Sequence, residues 1–466
     1  MIKYRNLSID LLRGLAIFGM VLAAVIPWSA VFPGWMYHAQ VGPPDFTFNP
    51  NNPGITWVDL VFPFFLFAMG AAFPFALHSK LNDRAYVTIL QGVLRRGLLL
   101  VFFAITLAYL TPGNLTAQPW VNYLTSLVTF LAYFLVFMRF EGSPLRRYCL
   151  QAIGFLVIAG LTYYHSEVQG NTFDKSKNNI IILVLANMAV FGSLCWLLTA
   201  RNFYLRIAIL VGFIGVWLTR SIEGSWTSYI WNFHPKLHWF YNFSFLKYLC
   251  IVLPGSILGD LVLQYKDITN KLYEDKERRA AAWVAAVSFI WVVFHVVTLY
   301  MRELALNLLG HFIFVGLYLL FFRNRKEGQI GFYRVLLGWG LALASIGLCF
   351  EPLDGGIKKD PSSFSYWFLT SGLAFAFYVV CDYLTKEHTK NLAVTSLVKC
   401  GQNPMLAYCV TAFCITPLLG LMQILPFLDS LSAQSPYLGL IRTLVFMFLM
   451  LLITNIATNK KWFWRS

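Results

Sequence analysis

A chain of 466 residues that is 58% hydrophobic, 17% aromatic and only 12% charged has too much apolar surface for one soluble core, because soluble domains run nearer half apolar and a quarter charged. A formal net charge of +15 does not mark a nucleic-acid binder here, since Lys and Arg fall in short clusters between apolar runs and build no basic domain. Eight cysteines, none in a CxxC pair and all within or beside apolar runs, read as small buried hydrophobes and not as a disulfide framework or metal site.

The apolar runs are roughly 18 to 22 residues long, the length a helix needs to cross a ~30 Å hydrocarbon core. They predict an all-α polytopic integral membrane protein of about fourteen transmembrane helices, with residues 1–466 as a single transmembrane domain. Spans are expected near 9–31, 56–78, 92–111, 119–138, 149–165, 179–199, 204–220, 244–264, 281–300, 305–322, 332–350, 365–385, 401–424 and 437–457. The first follows a short basic head (Lys3, Arg5) yet is too long for a signal sequence and lacks a small-residue cleavage site, so it is expected to remain as a span.

Loop charge tests this count, because a missed span would scramble the alternation. The head is basic, and so is every second loop thereafter: Lys80, Arg84, Arg95 and Arg96; Arg139, Arg146 and Arg147; Arg201 and Arg206; Lys266 to Arg279; Arg323, Arg325 and Lys326; Lys386, Lys390 and Lys399; Lys460, Lys461 and Arg465. Both termini are therefore predicted cytoplasmic, and the loop carrying His38 extracytoplasmic. Three segments on that opposite side, Phe32 to Ile55, Ser221 to Phe245 and Glu351 to Phe364, are longer or more polar than a tight turn requires. Long punctuated loops are where sites concentrate. Their aromatic and polar side chains would suit a carbohydrate, and equally an ordinary interfacial belt.

Asp10 and Arg13 are three apart, share a helix face and are expected to pair, either as a boundary pair or with Arg13 facing a polar cavity. His38 is the single histidine of the first polar loop, and imidazole can take and return a proton near neutral pH. Asp59 opens the second span, where a carboxylate needs a partner; it would orient His38, or simply cap the helix. His295, His311, Asp260 and Arg442 lie in or near spans and are open to a proton or ion path that no spacing specifies. His234 and His238 are four apart with nothing nearby to complete a zinc set, so no metal is predicted. The sequence contains no phosphate-binding glycine loop, no GxSxG and no HExxH.

The run SIDLLRGLAIFGMVL, the pair His38-Ala39 and the run VDLVFPFFLFAMG resemble the heparan-alpha-glucosaminide N-acetyltransferase family and its bacterial relatives. The likeness covers residues 1–112, with the loop 32–55 as its active-site loop, and returns over 351–424. There IKKDPSSFSYWFLTSG places Lys359, Ser363, Ser365 and Tyr366 on family positions, and GQNPMLAY does so for Gly401, Asn403 and Tyr408. The resemblance implies transfer of an acetyl group from cytosolic acetyl-CoA across a bacterial inner membrane to an extracytoplasmic amino sugar or other glycan. His38 would be the general base oriented by Asp59, with Lys359, Ser363, Ser365 and Asn403 toward substrate and Arg13, Arg95 and Arg96 toward the CoA phosphates. The expected partners are the bilayer and the glycan acceptor, with a homodimer left open. The chain departs from the family pattern at Ala24, at Gln40 and Val41 after the His-Ala pair, and at Trp120 to Leu127. A multi-helix transporter or flippase for a sugar or lipid-linked glycan, and a catalytically silent relative, are the alternatives.

Overall fold

The computed structural model describes residues 5–115, 118–138, 140, 143–174, 176–200, 202–233, 240–269 and 271–465; Lys3, Arg139, Arg201, His234 and His238 lie outside the described residues. Among the described residues, thirteen helices are long and apolar enough to cross a membrane. A further apolar helix, Phe203–Thr219, is 17 residues long. Together they match the predicted spans in order: α1 (Leu7–Val25), α2 (Trp57–Asn82), α3 (Tyr86–Leu110), α4 (Pro119–Phe137), α5 (Pro144–Val168), α6 (Ile180–Thr199), α7 (Phe203–Thr219), α8 (Phe243–Gln264), α9 (Asp275–Tyr300), α10 (Leu304–Phe322), α11 (Gly328–Phe350), α12 (Phe364–Glu387), α13 (Pro404–Leu421) and α14 (Pro436–Asn459). The protein is thus an all-α polytopic membrane protein, and among the described residues the only β pairing is one bridge between Met138 and Trp464.

The ends of the helices sort into two groups. Ser8 donates to Asp382 (2.9 Å), Gln329 Nε2 donates to the same carboxylate (2.9 Å), and Gln329 N donates to Glu277 (3.2 Å). The starts of α1, α9 and α11 and the end of α12 therefore share one end of the bundle, called here the Arg5 end. At the other, the His38 end, Gly54 N donates to Ile357 O (2.8 Å), tying the loop after α1 to the loop after α11.

The buried centre is α2, α8 and α12. Small residues let these helices touch backbone to backbone, which in a bilayer is how packing energy is gained: a Cβ on Gly70 would strike the Val252 carbonyl, and one on Gly255 the Phe67 carbonyl. Proline then shapes the centre. Pro63 has no N–H for the carbonyl of Asp59, four residues back, and the Tyr366 hydroxyl of α12 donates to that carbonyl instead (2.6 Å). Pro254 likewise frees the Cys250 carbonyl, which lies 3.4 Å from the Ser371 hydroxyl of α12, a group whose shorter bond goes to Trp367 O (2.7 Å). The Tyr366 hydroxyl satisfies backbone that lipid could not, so α12 is keyed to α2 beside Asp59.

The cysteines follow expectation in part. All eight are free, and Cys250, Cys381, Cys400 and Cys409 are buried, but Cys149 and Cys349 are exposed on helix faces that turn away from the bundle.

Candidate functional site

At the His38 end the loop after α1 is pinned onto the start of α2. Trp28, Tyr37 and Phe46 pack ring against ring, with centroids 5.0 to 5.7 Å apart, and Thr56 Oγ1 donates to Tyr37 O (2.7 Å). Asp59, fully buried, stands in the first turn of α2 and does two jobs with two oxygens. Its Oδ2 accepts from Thr56 N (2.9 Å) and Ala39 N (3.2 Å), the first closing a capping box. Its Oδ1 has no hydrogen-bond partner and faces His38 Nε2 at 3.3 Å and Lys359 Nζ at 3.9 Å. The cap and the orienting partner, alternatives in the sequence, are one carboxylate.

Gln40 N donates to His38 Nδ1 (3.0 Å). That fixes the tautomer of the neutral ring, because a nitrogen accepting an N–H cannot carry one, so the proton sits on Nε2. Nε2 lies between Asp59 and a second carboxylate, Asp360 Oδ2, 3.4 Å away. Burial pushes the Asp360 carboxyl up, but its hydrogen bond with His38 and the neighbouring Lys359, His38 and Lys247 outweigh burial and hold it below the usual carboxylate range. Its side chain is half exposed while that of His38 is largely covered, so Asp360 is the rim of the site and His38 the floor.

Sequence reasoning missed Asp360, although it sits beside Lys359 in the family-like stretch. It also counted Gln40 only as a departure from the family. The Gln40 side chain, buried to 1% exposure, donates through Nε2 to Asp360 O (2.5 Å) and accepts at Oε1 from Asp360 N (2.9 Å). One amide thus reads both backbone groups of the residue it positions, and clamps the two loops together across 320 positions of sequence.

Of the residues proposed to meet substrate, Lys359 joins this cluster. Ser363 and Ser365 are used locally: Ser363 caps α12, accepting from Tyr366 N (3.3 Å), and shares a hydrogen bond with the Ser365 hydroxyl (2.9 Å), while Ser365 N donates to Asp354 (2.7 Å). Asn403 lies at the Arg5 end. It is fully buried, donates to Trp462 O (2.8 Å) and accepts from Trp464 N (3.1 Å), so both halves of its amide hold the tail that follows α14.

That tail walls a cavity of about 510 Å³ at the Arg5 end, lined by Arg5, Arg13, Arg96 and Arg465 against the single carboxylate of Asp10, with Phe65, Met69 and Leu100 deeper in. Arg5 pairs with Asp10 Oδ2 (2.5 Å), and Arg13, the expected partner, is 3.7 Å from Oδ1. Arg13 also donates to Gly401 O and Ala68 O (3.3 and 3.4 Å), which sets its guanidinium in the wall. Four arginines for one acid leave the lining in cationic excess. Arg95 does not take part: one residue from Arg96 it is turned about a quarter of the way round the helix, and it donates to Gln151 of α5 (3.4 Å).

Beyond Phe65 the cavity narrows to a gap of about 30 Å³ that shares Phe65, Leu100 and Met405 with it and reaches Ile17, Met20 and Phe62. Phe65 and Asp59 are six residues apart on α2, about 9 Å along the axis. Phe62 is one turn from Asp59. The cavity is therefore charged at its mouth and apolar where it points toward His38.

Elsewhere, His295 and His311, sixteen residues apart in sequence, meet at 3.3 Å, and His311 reaches Ser345 (2.9 Å). Asp260 pairs with Arg206 (2.6 Å) and Arg442 with Asp429 (2.9 Å). Among the described residues no group of three or more His, Cys, Asp or Glu could hold a metal ion. A family model described as a domain of unknown function (DUF5009) matches residues 5–262, more than half of the chain, taking in His38, Asp59, Arg13 and Arg96. No curated protein matches.

Proposed function

The chain belongs to the DUF5009 family, and from that premise we propose that it is a membrane-bound acyltransferase moving an acetyl group from acetyl-CoA at the Arg5 end to an amino sugar or other glycan at the His38 end. In this reading the Arg5 end faces the cytoplasm of a bacterial cell and the His38 end lies outside the inner membrane. The observation that carries it is the pairing of a histidine held between two carboxylates with an arginine-lined cavity that narrows toward it along α2. Arginine matches phosphate oxygens in fork geometry, so Arg13, Arg96, Arg5 and Arg465 take the phosphates of CoA, and the apolar gap takes its arm.

At the far end the acceptor's amine or hydroxyl attacks the thioester carbonyl while its proton passes to the Asp360 carboxylate, which the Nε2–H of His38 holds in place; His38, with Nδ1 taken by Gln40 N, positions this base. The tetrahedral intermediate collapses, the carbon–sulfur bond breaks, and the thiolate takes that proton to leave as CoA. Lys359 faces the developing oxyanion, where fixed positive charge stabilises the transition state most. Asp59 faces the same Nε2 and holds the ring on α2.

The test is release of CoA thiol from acetyl-CoA and glucosamine by purified protein. His38→Ala, which leaves the base Asp360 without the Nε2–H that positions it, is expected to lower the rate by about a hundredfold, with protein yield and acetyl-CoA binding kept. Full turnover in that variant sinks the role of His38. Movement of glycan across proteoliposomes without any use of acetyl-CoA moves the assignment to the transport reading.

A further inference from the structure

A second cavity, of about 250 Å³, lies away from both ends of the proposed reaction path, between α9, α10 and α11. Its lining repeats at helical spacing, with Val284, Ser288 and Trp291 on α9 and Phe314, Tyr318 and Phe321 on α10. Trp283, 70% exposed, stands at its open side, so the cavity faces the bilayer.

Two features distinguish it from an ordinary lipid-facing groove. Ser288 and Trp291 are each only 3% exposed, and neither Ser288 Oγ nor Trp291 Nε1 has a hydrogen-bond partner. Neighbouring hydroxyls behave otherwise: Thr298 donates to Phe294 O and Ser345 to Leu341 O, each 2.7 to 2.8 Å away, which is how hydroxyls in helices are normally satisfied. Two buried donors left open in an apolar wall call for a ligand with an acceptor group, because an unmade hydrogen bond in hydrocarbon is costly. The second feature is charge at the mouth. Arg325 stacks over the Phe321 ring, 4.0 Å from its centroid, and Arg323 and Lys326 are exposed beside it. Arg279, also exposed, is one turn before Trp283 on the same face of α9. Ser288 is five residues below Trp283, about 7.5 Å along the axis.

We propose that this groove is a binding site for an anionic glycerophospholipid, with its headgroup on Arg279, Arg323, Arg325 and Lys326, an ester carbonyl accepting from Ser288 and Trp291, and one acyl chain along the α9–α10 seam. A basic pocket between helices that opens to an acidic leaflet is the general form of such sites.

The experiment is native mass spectrometry of the purified full-length chain in detergent with dioleoyl phosphatidylglycerol or dioleoyl phosphatidylcholine. One phosphatidylglycerol is expected to be retained per chain, about tenfold more readily than phosphatidylcholine. The triple variant R323Q/R325Q/K326Q should erase that preference, and S288A/W291F should lower retention of both lipids several-fold. S288A alone, which removes only an unpartnered hydroxyl, is expected to keep the melting temperature of the delipidated protein and to lower retention in the same direction, so a loss of lipid cannot be put down to misfolding. Equal retention of the two lipids by the native protein, phosphatidylglycerol retention unchanged in both variants, or displacement by glycerol phosphate alone overturns the proposal. The result is independent of acyltransferase activity.

Discussion

The two ends of the bundle hold polar groups in opposite ways. At the His38 end the clamping atoms are matched one to one: both halves of the Gln40 amide bind Asp360 backbone, and Asp59 Oδ2 takes the Thr56 and Ala39 amides. What is left over, Asp59 Oδ1, points at His38 and Lys359. At the Arg5 end the groups are mismatched in number, four arginines around one carboxylate lining an open cavity. A saturated network fixes distances, which proton transfer needs. A surplus of one charge attracts a ligand of the other sign. The first arrangement is suited to chemistry and the second to binding.

The most damaging way to break this contrast is to remove the atom on which the first end converges. Asp59→Ala leaves the Thr56 and Ala39 amides unbound and Lys359 without its buried anion. Removing one partner of a buried charged pair costs about 3–5 kcal/mol, so a large fall in melting temperature in detergent and no CoA release are expected. A melting temperature equal to that of the native protein would mean that Asp59 is not the anchor of its loop. The corresponding change at the other end, Arg96→Gln, should leave folding alone, whereas Arg13→Gln also removes the donor to Gly401 O and Ala68 O. Arg13→Gln and Arg96→Gln each remove a charge-assisted contact worth about 1.5–3 kcal/mol, or about ten- to a hundredfold in acetyl-CoA affinity by calorimetry. Arg95→Gln, whose guanidinium hydrogen-bonds Gln151 and does not line the cavity, is the control and should change affinity less than twofold. Equal losses in Arg95→Gln and Arg96→Gln would remove the cavity from the account.

The same contrast decides what could be read from the chain. The spans and their alternation were legible because a helix in hydrocarbon must be long, apolar and internally bonded, which leaves a plain pattern. His38 and Asp59 were legible because the loop after the first span returns to the helix that follows it, and both lie within the stretch of family likeness. Asp360 was not, since its place beside His38 depends on a clamp from a residue 320 positions away that looked like a loss. Arg95 and Arg96 could be separated only by helix rotation relative to α5, which a charge pattern along the sequence does not contain. Asn403 was put with substrate on resemblance, yet its surroundings are set by the tail after α14. Cys149 and Cys349 show the same limit, because a hydrophobic run does not say which face meets lipid.

A finer cut tests the clamp itself. Gln40→Ala leaves the Asp360 N–H and carbonyl without their partners, a cost of about 1–3 kcal/mol, smaller than that of Asp59→Ala because His38 keeps its anchor on α2. The expected outcome is a modest loss of stability with a larger loss of turnover, as Asp360 drifts from His38. Gln40→Ala with native turnover would detach Asp360 from the reaction while leaving Asp59 in place.

The smallest effect concerns the charge on Asp360. Its carboxyl is held below the ordinary carboxylate range, by the hydrogen bond with His38 and the neighbouring Lys359, His38 and Lys247 working against burial. The unfolded value is about 3.9. A carboxyl whose native value is the lower one stabilises the fold in full above the unfolded value, and the contribution disappears as pH falls through the native value. The stability difference between the native protein and Asp360→Asn should therefore stay level from about pH 6 to pH 5 and close below about pH 4. Because the side chain is half exposed, salt should shrink the difference at every pH. Thermal unfolding of the two proteins over that range, at low and high salt, gives the comparison. A difference that widened as pH fell would mean that the folded state favours the protonated acid, and Asp360 would then not be held as the acceptor of the His38 Nε2–H.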